Sequence, residues 1–343
     1  MINVALLSKW HVHAEDYAKQ ATKNEDLSIQ MVWDEDEKRG REWAERLGVP
    51  FESDLQKVLV NSSIDAVIVN TPTNLHKEII IAAAKQNKHI FTEKVLALST
   101  KDCDEIFAVI EETNVQLMVS LPRITEPYYL YAQEVLDQGL LGTVTGIRCR
   151  LAHNGAVTSQ EKPSGWLPAH FFNREQCGGG ALVDLGAHPI YLTNRLVGKA
   201  KAVTARFQHT KGYEVEDNAV VLVEYESGAL GTIETGFLAF GSPFELEVYG
   251  TEGTLLVQDE QIRLKSSRIQ EEGWIVPEVL PDRLNSAMEQ WVAAIKEEEL
   301  PYITKEDVRN LTLINEVSAL SNEKGCRVVV SEFENEKLLT KQV

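Results

Sequence analysis

The stretch GGGALVDLGAH at residues 178–188 opens a helical pattern directly after three consecutive glycines. Within it, Asp184 and His188 stand four positions apart, a spacing that places both side chains on the same face of a helix. A second stretch, TEK at residues 92–94, puts Lys94 just beyond the end of an apolar run. A lysine, an aspartate and a histidine that share one pocket are suited to moving a proton on and off a hydroxyl group. The sequence therefore predicts a catalytic site made of these three side chains.

The residues before the first stretch alternate short apolar runs with amphipathic segments. The apolar runs predict strands at 2–7, 28–33, 66–70, 89–92 and 115–120. Helical periodicity falls between them, at 14–22, 36–47, 54–60, 75–86 and 100–113. This alternation is typical of a doubly wound parallel sheet, which binds ligands beyond the carboxyl ends of its strands. Asp34, Thr71 and Lys94 each follow a predicted strand end, so we expect a ligand near them.

The pattern changes near residue 122. The second part of the chain predicts a helix at 127–138, a long strand at 143–152, a loop at 154–180, a helix at 181–196, alternating strands over 200–266, and helices at 283–298 and 305–322. Alternation of this kind favours a large, mostly antiparallel open sheet with one face covered. We therefore predict an α/β protein with a doubly wound first domain at residues 1–121 and an α+β second domain at residues 122–343.

Composition limits the class of partner. The chain has 34 basic and 52 acidic residues, a net charge of −18, which argues against nucleic acid and against anionic membranes. Its first residues lack a basic signal-peptide region, and no apolar run is long enough to span a bilayer. The four cysteines are scattered without a C-x-x-C pair, as is typical of reduced thiols. We therefore expect a cytoplasmic protein with a small-molecule partner, and neither a nucleic acid nor a membrane.

Six motifs occur in a fixed order along nearly the whole chain. They are NTPTNLH at 70–76, EK at 93–94, Arg123 followed by Gly139-x-x-Gly142, GGALVDLGAH at 179–188, EDNA at 216–219, and YGTEG at 249–253. Together they resemble the glucose-fructose oxidoreductase and inositol dehydrogenase family (Gfo/Idh/MocA). The resemblance implies an NAD(P)-binding Rossmann domain, a sheet domain for substrate binding and oligomerisation, and NAD(P)-linked oxidation of a sugar or polyol hydroxyl. The apolar side of a large exposed sheet face favours a homodimer or homotetramer.

The resemblance also implies catalytic roles. Lys94 would bond the reacting hydroxyl and relay its proton, and His188 would be the general base or share that role, since imidazole titrates near neutral pH. Asp184 would orient the imidazole or bind a substrate hydroxyl. Ordinary structural roles are the alternatives: a surface lysine, a core histidine, and a carboxylate favoured at a helix start.

The cofactor is expected to lie along the first domain. An acidic residue such as Asp34 at the end of the second strand accepts hydrogen bonds from the adenosine ribose and repels a 2′-phosphate, which favours NAD over NADP. Nearby Lys38, Arg39 and Arg41 soften that preference, and a helix cap is the alternative role for Asp34. The remaining predicted cofactor contacts are Ser8, Trp10, His11, Thr71, Pro72, Asn74, His76 and Glu93. For His76, packing on its own helix is an equal alternative.

The substrate is expected to meet the second domain at its long loop. The candidates share aromatic or hydrogen-bonding side chains that suit a sugar ring, and they are Arg123, Trp166, His170, Phe172 and Asn173. The loop at 154–177 would set specificity. The alternative is a loop that packs on its own aromatic rings.

Two segments depart from the family pattern. Aligned to the glycine fingerprint G-x-G-x-x-G, the first turn has Ser8, Trp10 and His13 in place of the glycines. A tryptophan at the second position obstructs the approach of a pyrophosphate to the backbone unless the loop is reshaped. The proline that follows Glu-Lys in the family is Val95 here, so we expect a trans bond after Lys94. The pair His11 and His13 has no third ligand nearby in the sequence, and no metal site is predicted.

The leading hypothesis is an NAD-dependent dehydrogenase that transfers hydride between nicotinamide and a sugar or polyol, with a proton relay through Lys94 and His188. One alternative is an NAD-dependent glycoside hydrolase of the same fold, which would produce no net NADH. A second alternative is a non-catalytic ligand-binding or regulatory protein with a degenerate cofactor loop.

Overall fold

The computed structural model describes residues 1–162, 165–259 and 261–339. Pro163 and Ser164 of the predicted substrate loop, and residues 340–343 of the predicted second domain, lie outside the described residues. The chain divides into two compact units. The first comprises Met1–Pro122 with Asn285–Arg309, and the second comprises Arg123–Leu284 with Asn310–Val343.

The first unit is built around a parallel sheet of five strands in the order β2-β1-β3-β4-β5. Its strands are β1 (Ile2–Leu7), β2 (Leu27–Trp33), β3 (Ala66–Val69), β4 (His89–Thr92) and β5 (Leu117–Val119). Its helices are α1 (Ala14–Lys23), α2 (Glu37–Leu47), α3 (Leu55–Leu59), α4 (His76–Lys85) and α5 (Thr100–Thr113), and a 3₁₀ turn covers Thr73–Leu75. The predicted doubly wound sheet is confirmed, and most element bounds agree within one or two residues.

The burial of β3 fits its central position in the parallel sheet. Every residue of β3 is buried, as expected where helices cover both faces of a sheet. The strand order reverses between β1 and β3, because β2 lies on one side of β1 and the later strands lie on the other. Such a reversal opens a crevice beyond the carboxyl ends of the strands. The residues that follow β1, β3 and β4 therefore face a common ligand-binding edge.

The second unit holds an eight-stranded sheet in the order β12-β11-β10-β6-β9-β8-β7-β13. Only the pair β6 and β9 is parallel among the described pairings. The strands are β6 (Val144–Ala152), β7 (Ala200–Gln208), β8 (Asn218–Tyr225), β9 (Leu230–Gly236), β10 (Glu245–Gly250), β11 (Gly253–Gln258), β12 (Gln261–Ser266) and β13 (Val328–Val329). The predicted mostly antiparallel sheet is confirmed.

One face of this sheet is apolar and buried, and the other is exposed. On β8, Val221 and Val223 are buried, while Val220 and Leu222 between them are 47% and 53% exposed. Successive residues of a strand point to opposite faces, so this alternation marks a sheet covered on one side.

The helices of the second unit are α6 (Pro127–Asp137), α7 (Arg174–Cys177), α8 (Ala181–Asp184), α9 (Ala187–Val197) and, near the end of the chain, α12 (Val330–Leu339). One 3₁₀ turn covers Ala169–Phe172. Another covers Pro122–Thr125 and begins on the last residue of the first unit. The strand β13 and helix α12 were not predicted from the sequence.

The helix predicted at 181–196 is broken. Helix α8 ends at Asp184 and α9 begins at Ala187, so Asp184 and His188 lie on two successive helices and not on one. Pro189 has no amide hydrogen for the carbonyl of Leu185, and its ring crowds that carbonyl, which ends a regular helix there. The amide of Gly186 bonds instead to the carbonyl of Ala181, five residues back.

Two further helices follow β12: α10 (Ala287–Ile295) and α11 (Lys305–Lys324). The sequence assigned residues 285–309 to the second domain, whereas in the structure they group with the first unit. Trp291 of α10 is fully buried, and its ring centroid lies 5.7 Å from that of Phe91 on β4. Its indole nitrogen donates to the carbonyl of Gln116 beside β5. An aromatic anchor of this kind was not visible in the spacing of the sequence.

Within the described residues, no helix combines the length and the apolar character needed to cross a membrane.

Candidate functional site

The turn after β1 takes its shape without the expected glycines. Ser8 has φ of 72°, the left-handed conformation that glycine adopts most readily. Its amide donates to the carbonyl of Trp33, and its hydroxyl accepts hydrogen bonds from the amide of Trp10 at 3.0 Å and from Arg39 at 3.3 Å. The serine side chain therefore supplies bonds that hold the turn in a conformation usually reserved for glycine.

The backbone amides of this turn are bonded within the first unit. The amide of Lys9 donates to Asp34 at 2.8 Å, that of Trp10 donates to Ser8, and that of His11 donates to the carbonyl of Asn70 at 3.1 Å. The side chain of Trp10 is itself buried. The loop is thus reshaped, and these three amides are already used where a glycine-rich turn would offer its amides to a pyrophosphate.

Asp34 is buried at the end of β2 and is fully engaged. Its carboxylate receives two hydrogen bonds from the guanidinium of Arg39, at 2.6 and 3.0 Å, and the amide of Asp36 at 2.9 Å, in addition to Lys9. Arg39 also pairs with Glu35 at 2.6 Å. The helix-capping role considered as an alternative for Asp34 belongs to Asp36, whose side chain accepts from the amide of Arg39.

Two polar side chains after β3 differ from this pattern. Asn70 and Thr71 are 0% and 1% exposed, and within residues 1–162, 165–259 and 261–339 their side-chain polar atoms have no hydrogen-bond partner. Buried polar groups are normally bonded, so each such group requires an explanation. A polar ligand along the carboxyl ends of β1 and β3 would satisfy them. Pro72 beside them is buried, and Asn74 is exposed.

Glu93 is the centre of a buried charged cluster after β4. Tyr17 donates its hydroxyl to one carboxylate oxygen at 2.5 Å, and the amide of Lys94 donates to the other at 2.6 Å. His11 lies 3.5 Å from the first oxygen. Burial alone would raise the pKa of Glu93, but the charges of His11, Lys94 and His13 outweigh it and lower the pKa to about 2. The carboxylate is therefore ionised at neutral pH and holds the turn and the start of the Lys94 segment together.

The same cluster brings together a group with metal-ligand chemistry. One potential ligand atom from each of His11, His13 and Glu93 lies within 4.8 Å of the others. The sequence did not place a third ligand near the two histidines, and the fold does. However, both oxygens of Glu93 already accept hydrogen bonds, and Nδ1 of His11 faces the amide of His13 at 3.2 Å. These hydrogen bonds account for the arrangement, and we propose no metal there.

The buried imidazole of His76 connects the segment that follows β3 with the segment that follows β4. Its Nε2 lies 3.1 Å from the carbonyl of Thr71, and its Nδ1 lies 3.1 Å from the carbonyl of Val95. Burial lowers the pKa of His76, against the opposing effect of these carbonyls. The bond between Lys94 and Val95 is cis, so the expectation of a trans bond was wrong. That expectation considered the isolated peptide and not the buried contacts of Val95 with His76.

In the second unit, Glu216 holds the glycine-rich stretch. Its carboxylate accepts the amides of Gly180 and Leu182, each at 2.9 Å, and its carbonyl accepts the amide of Ala181. A Cβ atom on Gly180 would lie 2.0 Å from the carbonyl oxygen of Glu216, so only glycine fits there. Burial raises the pKa of Glu216, against these backbone bonds. The motifs at 179–188 and 216–219 are therefore two halves of one structural unit that carries Asp184.

Asp184 is half-buried at the end of α8. Burial first, and then the negative charges of Asp184 and Glu216, raise the pKa of Cys177 to about 12. The thiol beside the glycine run is thus protonated at neutral pH and is not a nucleophile.

His188 belongs to a chain of polar groups in the second unit. Its Nδ1 lies 2.7 Å from the hydroxyl of Tyr191, which also accepts the backbone amide of Arg123 at 3.1 Å. The guanidinium of Arg123 donates to Tyr128 at 3.2 Å and lies 4.9 Å from the ring centroid of Phe244. The predicted substrate residue Arg123 is therefore linked to the predicted catalytic residue His188 through Tyr191.

The other predicted substrate residues, in the loop and short helix before the glycine-rich stretch, have separate contacts. Phe172 stacks on Tyr213 with ring centroids 3.9 Å apart and is buried, which favours the packing alternative for this residue. Asn173 caps α7 by accepting the amide of Gln176. Trp166 is 44% exposed and donates to Asn154. His170 packs beside Phe171, and its carbonyl accepts the thiol of Cys177.

The predicted site residues thus fall into two groups. Ser8, Trp10, His11, Asp34, Thr71, Pro72, Asn74, His76, Glu93 and Lys94 belong to the first unit, and Arg123, Trp166, His170, Phe172, Asn173, Asp184 and His188 belong to the second.

Sequence reasoning missed three residues that the structure places in these clusters: Tyr17, Asn70 and Tyr191. The spacing of Tyr191 three positions after His188 was a readable signal, because residues three apart are neighbours on a helix. Nothing in the sequence pairs Tyr17 with Glu93, 76 residues away.

Comparison with known proteins defines the class. Residues 11–121 match the model of an oxidoreductase family with an NAD-binding Rossmann fold, and residues 129–256 match the C-terminal domain of Gfo/Idh/MocA proteins. Together these matches cover more than half of the chain, which therefore belongs to the Gfo/Idh/MocA family of oxidoreductases. The first match begins at His11, inside the altered turn and after Ser8 and Trp10.

Two relatives and one solved structure show the range of likeness. The chain is 30% identical over 229 residues to scyllo-inositol 2-dehydrogenase (NAD⁺) of Bacillus subtilis, covering 64% of this chain but only 63% of the relative. It is 25% identical to myo-inositol 2-dehydrogenase of Thermotoga maritima, covering 92% and 95%. The structure of GenD2 from gentamicin A biosynthesis, in complex with NAD, is 25% identical with a TM-score of 0.80 and covers 96% of each chain.

Proposed function

We propose that this protein is an NAD-dependent oxidoreductase that transfers hydride between nicotinamide and a hydroxyl-bearing carbon of a sugar, polyol or derivative. The proposal is carried by Asn70 and Thr71, whose buried side-chain polar atoms have no hydrogen-bond partner in the described part of the chain. They lie at the strand ends where a Rossmann domain binds its ligand, beside the Glu93–Lys94 segment that follows β4. The match to dehydrogenases of two inositols suggests cyclic polyols as the first substrates to test.

The residues present fit a dinucleotide at one part of the edge. Asn70, Thr71, Glu93 and Lys94 would hold it, and Asp34 with its partner Arg39 would face the adenosine end. The bound cofactor supplies the hydride acceptor. Because the amides of Lys9, Trp10 and His11 are already bonded, its phosphates would be held by side chains and by the start of α1 and not by a glycine cradle.

The catalytic roles assigned from the sequence remain part of this proposal. Lys94 and His188 would bond the reacting oxygen and pass its proton, and Asp184 would bind a neighbouring hydroxyl or orient the imidazole. Arg123, Trp166 and His170 would line the substrate, while Phe172 and Asn173 support that wall through packing and a helix cap. The nucleotide domain would comprise residues 1–121 with α10, and the remaining chain would bind substrate.

We also propose a homodimer or homotetramer formed through the open sheet face. Val220 and Leu222 on β8 and Leu230 on β9 are exposed there, around ion pairs that join Arg148 to Glu234. Apolar surface rimmed by paired charges is typical of an interface. A molar mass of two or four chains by light scattering is the expected result, and a single chain would contradict it. We propose a cytoplasmic location, supported by four free cysteines.

The test is a calorimetric titration of cofactor-free protein with NAD(H) and NADP(H), followed by an absorbance screen for NADH with inositols, sugars and polyols. We expect NAD(H) to bind more tightly than NADP(H) and at least one cyclic polyol to be oxidised. Lys94→Ala should abolish turnover but weaken NAD(H) binding only in part, because Asn70, Thr71 and Glu93 remain to hold the cofactor. Failure of both cofactors to bind would overturn the proposal.

A second candidate is a non-catalytic ligand-binding protein. It is favoured by one observation, that the amides of Lys9 and Trp10 in the turn at residues 8–13 are already bonded. Such a protein would bind a sugar or polyol without NAD(H) and would produce no NADH. A glycoside hydrolase with a retained cofactor would bind NAD(H) and cleave a glycoside, also without net NADH.

A further inference from the structure

The half-buried His188 and the buried Tyr191 form a pair in the first turns of α9. Nδ1 of His188 lies 2.7 Å from the hydroxyl oxygen of Tyr191, and the two rings meet edge to face at 69°. Tyr191 is 1% exposed. At this distance one of the two groups donates a hydrogen bond to the other. Which group donates decides which nitrogen of His188 carries the proton.

The second contact of Tyr191 settles the direction. The backbone N–H of Arg123 donates to the Tyr191 hydroxyl at 3.1 Å, and an amide N–H group can only donate. In the part of the chain that the structure describes, the hydroxyl has these two contacts. If His188 donated as well, the oxygen would accept two N–H groups while its own buried proton pointed at neither. If Tyr191 donates, each hydrogen has an acceptor.

We propose that Tyr191 is a positioning residue that donates its hydroxyl proton to Nδ1 of His188 and thereby fixes the neutral imidazole with its hydrogen on Nε2. Burial supports this arrangement by raising the pKa of Tyr191 well above 10, which keeps the phenol protonated at neutral pH. The amide of Arg123 orients the phenol, so the junction at residue 123 and the helix that carries His188 are connected through one hydroxyl group.

This inference rests on the proposed function for its chemical meaning, and it divides the roles that the sequence left shared. With its hydrogen on Nε2, neutral His188 donates a hydrogen bond to the substrate oxygen and stabilises negative charge that develops on it. It does not accept the hydroxyl proton. The bound cofactor would supply the hydride acceptor, and the amine of Lys94 would take the proton of the hydroxyl group, so that oxidation would leave a carbonyl.

The experiment reads the tautomer directly. Protein labelled with ¹⁵N-histidine, without substrate or cofactor, is examined by long-range ¹H–¹⁵N correlation, and His188 among the 8 histidines is assigned from a His188→Gln spectrum. We expect the Nε2–H pattern in the wild type. Tyr191→Phe should convert His188 to the Nδ1–H form or to a mixture of the two.

Tyr128→Phe is the matched control. It removes another buried hydroxyl that contacts Arg123 but does not touch His188, so the His188 pattern should stay unchanged. A wild-type His188 in the Nδ1–H form would overturn the inference, and this result needs no variant to fold. An unchanged Nε2–H pattern in Tyr191→Phe would overturn it as well.

The outcome is separable from that of the proposed function, because the spectrum needs neither turnover nor cofactor. Where a substrate is found, Tyr191→Phe should lower kcat at least tenfold and change KM less than threefold. A variant that changes KM alone would contradict the assigned role.

Discussion

The turn at residues 8–13 and the stretch at residues 178–188 solve the same local problem in different ways. Each is a tight backbone segment held by a buried carboxylate: Asp34 accepts the amide of Lys9 in the first unit, and Glu216 accepts the amides of Gly180 and Leu182 in the second. The stretch at 178–188 also needs close contact with the neighbouring backbone, which only Gly180 permits. The turn at 8–13 uses the Ser8 hydroxyl where glycine is usual.

The difference teaches when a sequence motif is replaceable. A glycine required by a backbone contact of 2.0 Å has no substitute, because any Cβ atom would overlap the carbonyl oxygen. A glycine that mainly provides a positive φ can be replaced when side-chain bonds offset the cost of the conformation. The buried carboxylates beside the two segments also differ, since nearby positive charges outweigh burial and lower the pKa of Glu93, whereas burial raises the pKa of Glu216.

The largest expected effect is at Glu93. Because its pKa falls from 4.5 to about 2 on folding, its ionised form stabilises the protein by about 3 kcal/mol. This contribution is complete above pH 4.5 and is lost as pH falls towards 2. Glu93→Gln should therefore lower the free energy of unfolding by about 3 kcal/mol at pH 7, with a smaller difference at pH 3, as measured by denaturant titration. Glu45→Gln, at an exposed position on α2, should change it by less than about 0.5 kcal/mol. Equal differences at pH 7 and pH 3 would contradict this role for Glu93.

The comparison shows what the sequence made predictable. Periodicity located the strands of the first sheet and the strand region 200–266 of the second, but not β13, because burial on one or two faces leaves a direct pattern in the residues. The stretch with Asp184 and His188 was recognisable from its glycines, and Gly180 is fixed in the sequence because a side chain there would overlap the carbonyl of Glu216. The clusters were not predictable where they join distant residues, as Tyr17 joins Glu93, or where Trp291 adds α10 to the first unit. The break before His188 was missed because the effect of Pro189 on a preceding carbonyl outweighed the apolar period.

The next expected effect tests whether Gly180 in the stretch at residues 178–188 can be replaced. Gly180→Ala should lower the free energy of unfolding by about 2 kcal/mol, since the added methyl group forces the backbone of Glu216 to move. Gly146→Ala on β6 is the control, because its new methyl group would meet neighbours only at 3.7 Å or beyond. Denaturant unfolding of both variants measures the contrast, and equal stabilities would show that the close approach at Gly180 is relieved at no cost.

The smallest expected effect is the difference in stability, about 1 kcal/mol, between two variants of Ser8 in the turn at residues 8–13. Ser8→Ala keeps the positive φ and removes the hydroxyl that accepts the Trp10 amide, so it should cost about 2 kcal/mol. Ser8→Gly removes the same bond and relieves the conformation, so it should cost about 1 kcal/mol less than Ser8→Ala. Thermal unfolding of the pair isolates the conformational term. If the alanine variant were the more stable of the two, the account of the turn given above would be wrong.

The bonded turn has a consequence for the thermodynamics of ligand binding. A glycine-rich loop gives up conformational freedom when a phosphate orders it, and that entropy is subtracted from the affinity. Here the amides of Lys9, Trp10 and His11 are fixed by the protein itself, so the loss of entropy is incurred once, during folding. The protein reaches its ligand with this edge of the cleft already in place, and binding there is decided by contacts and solvation alone.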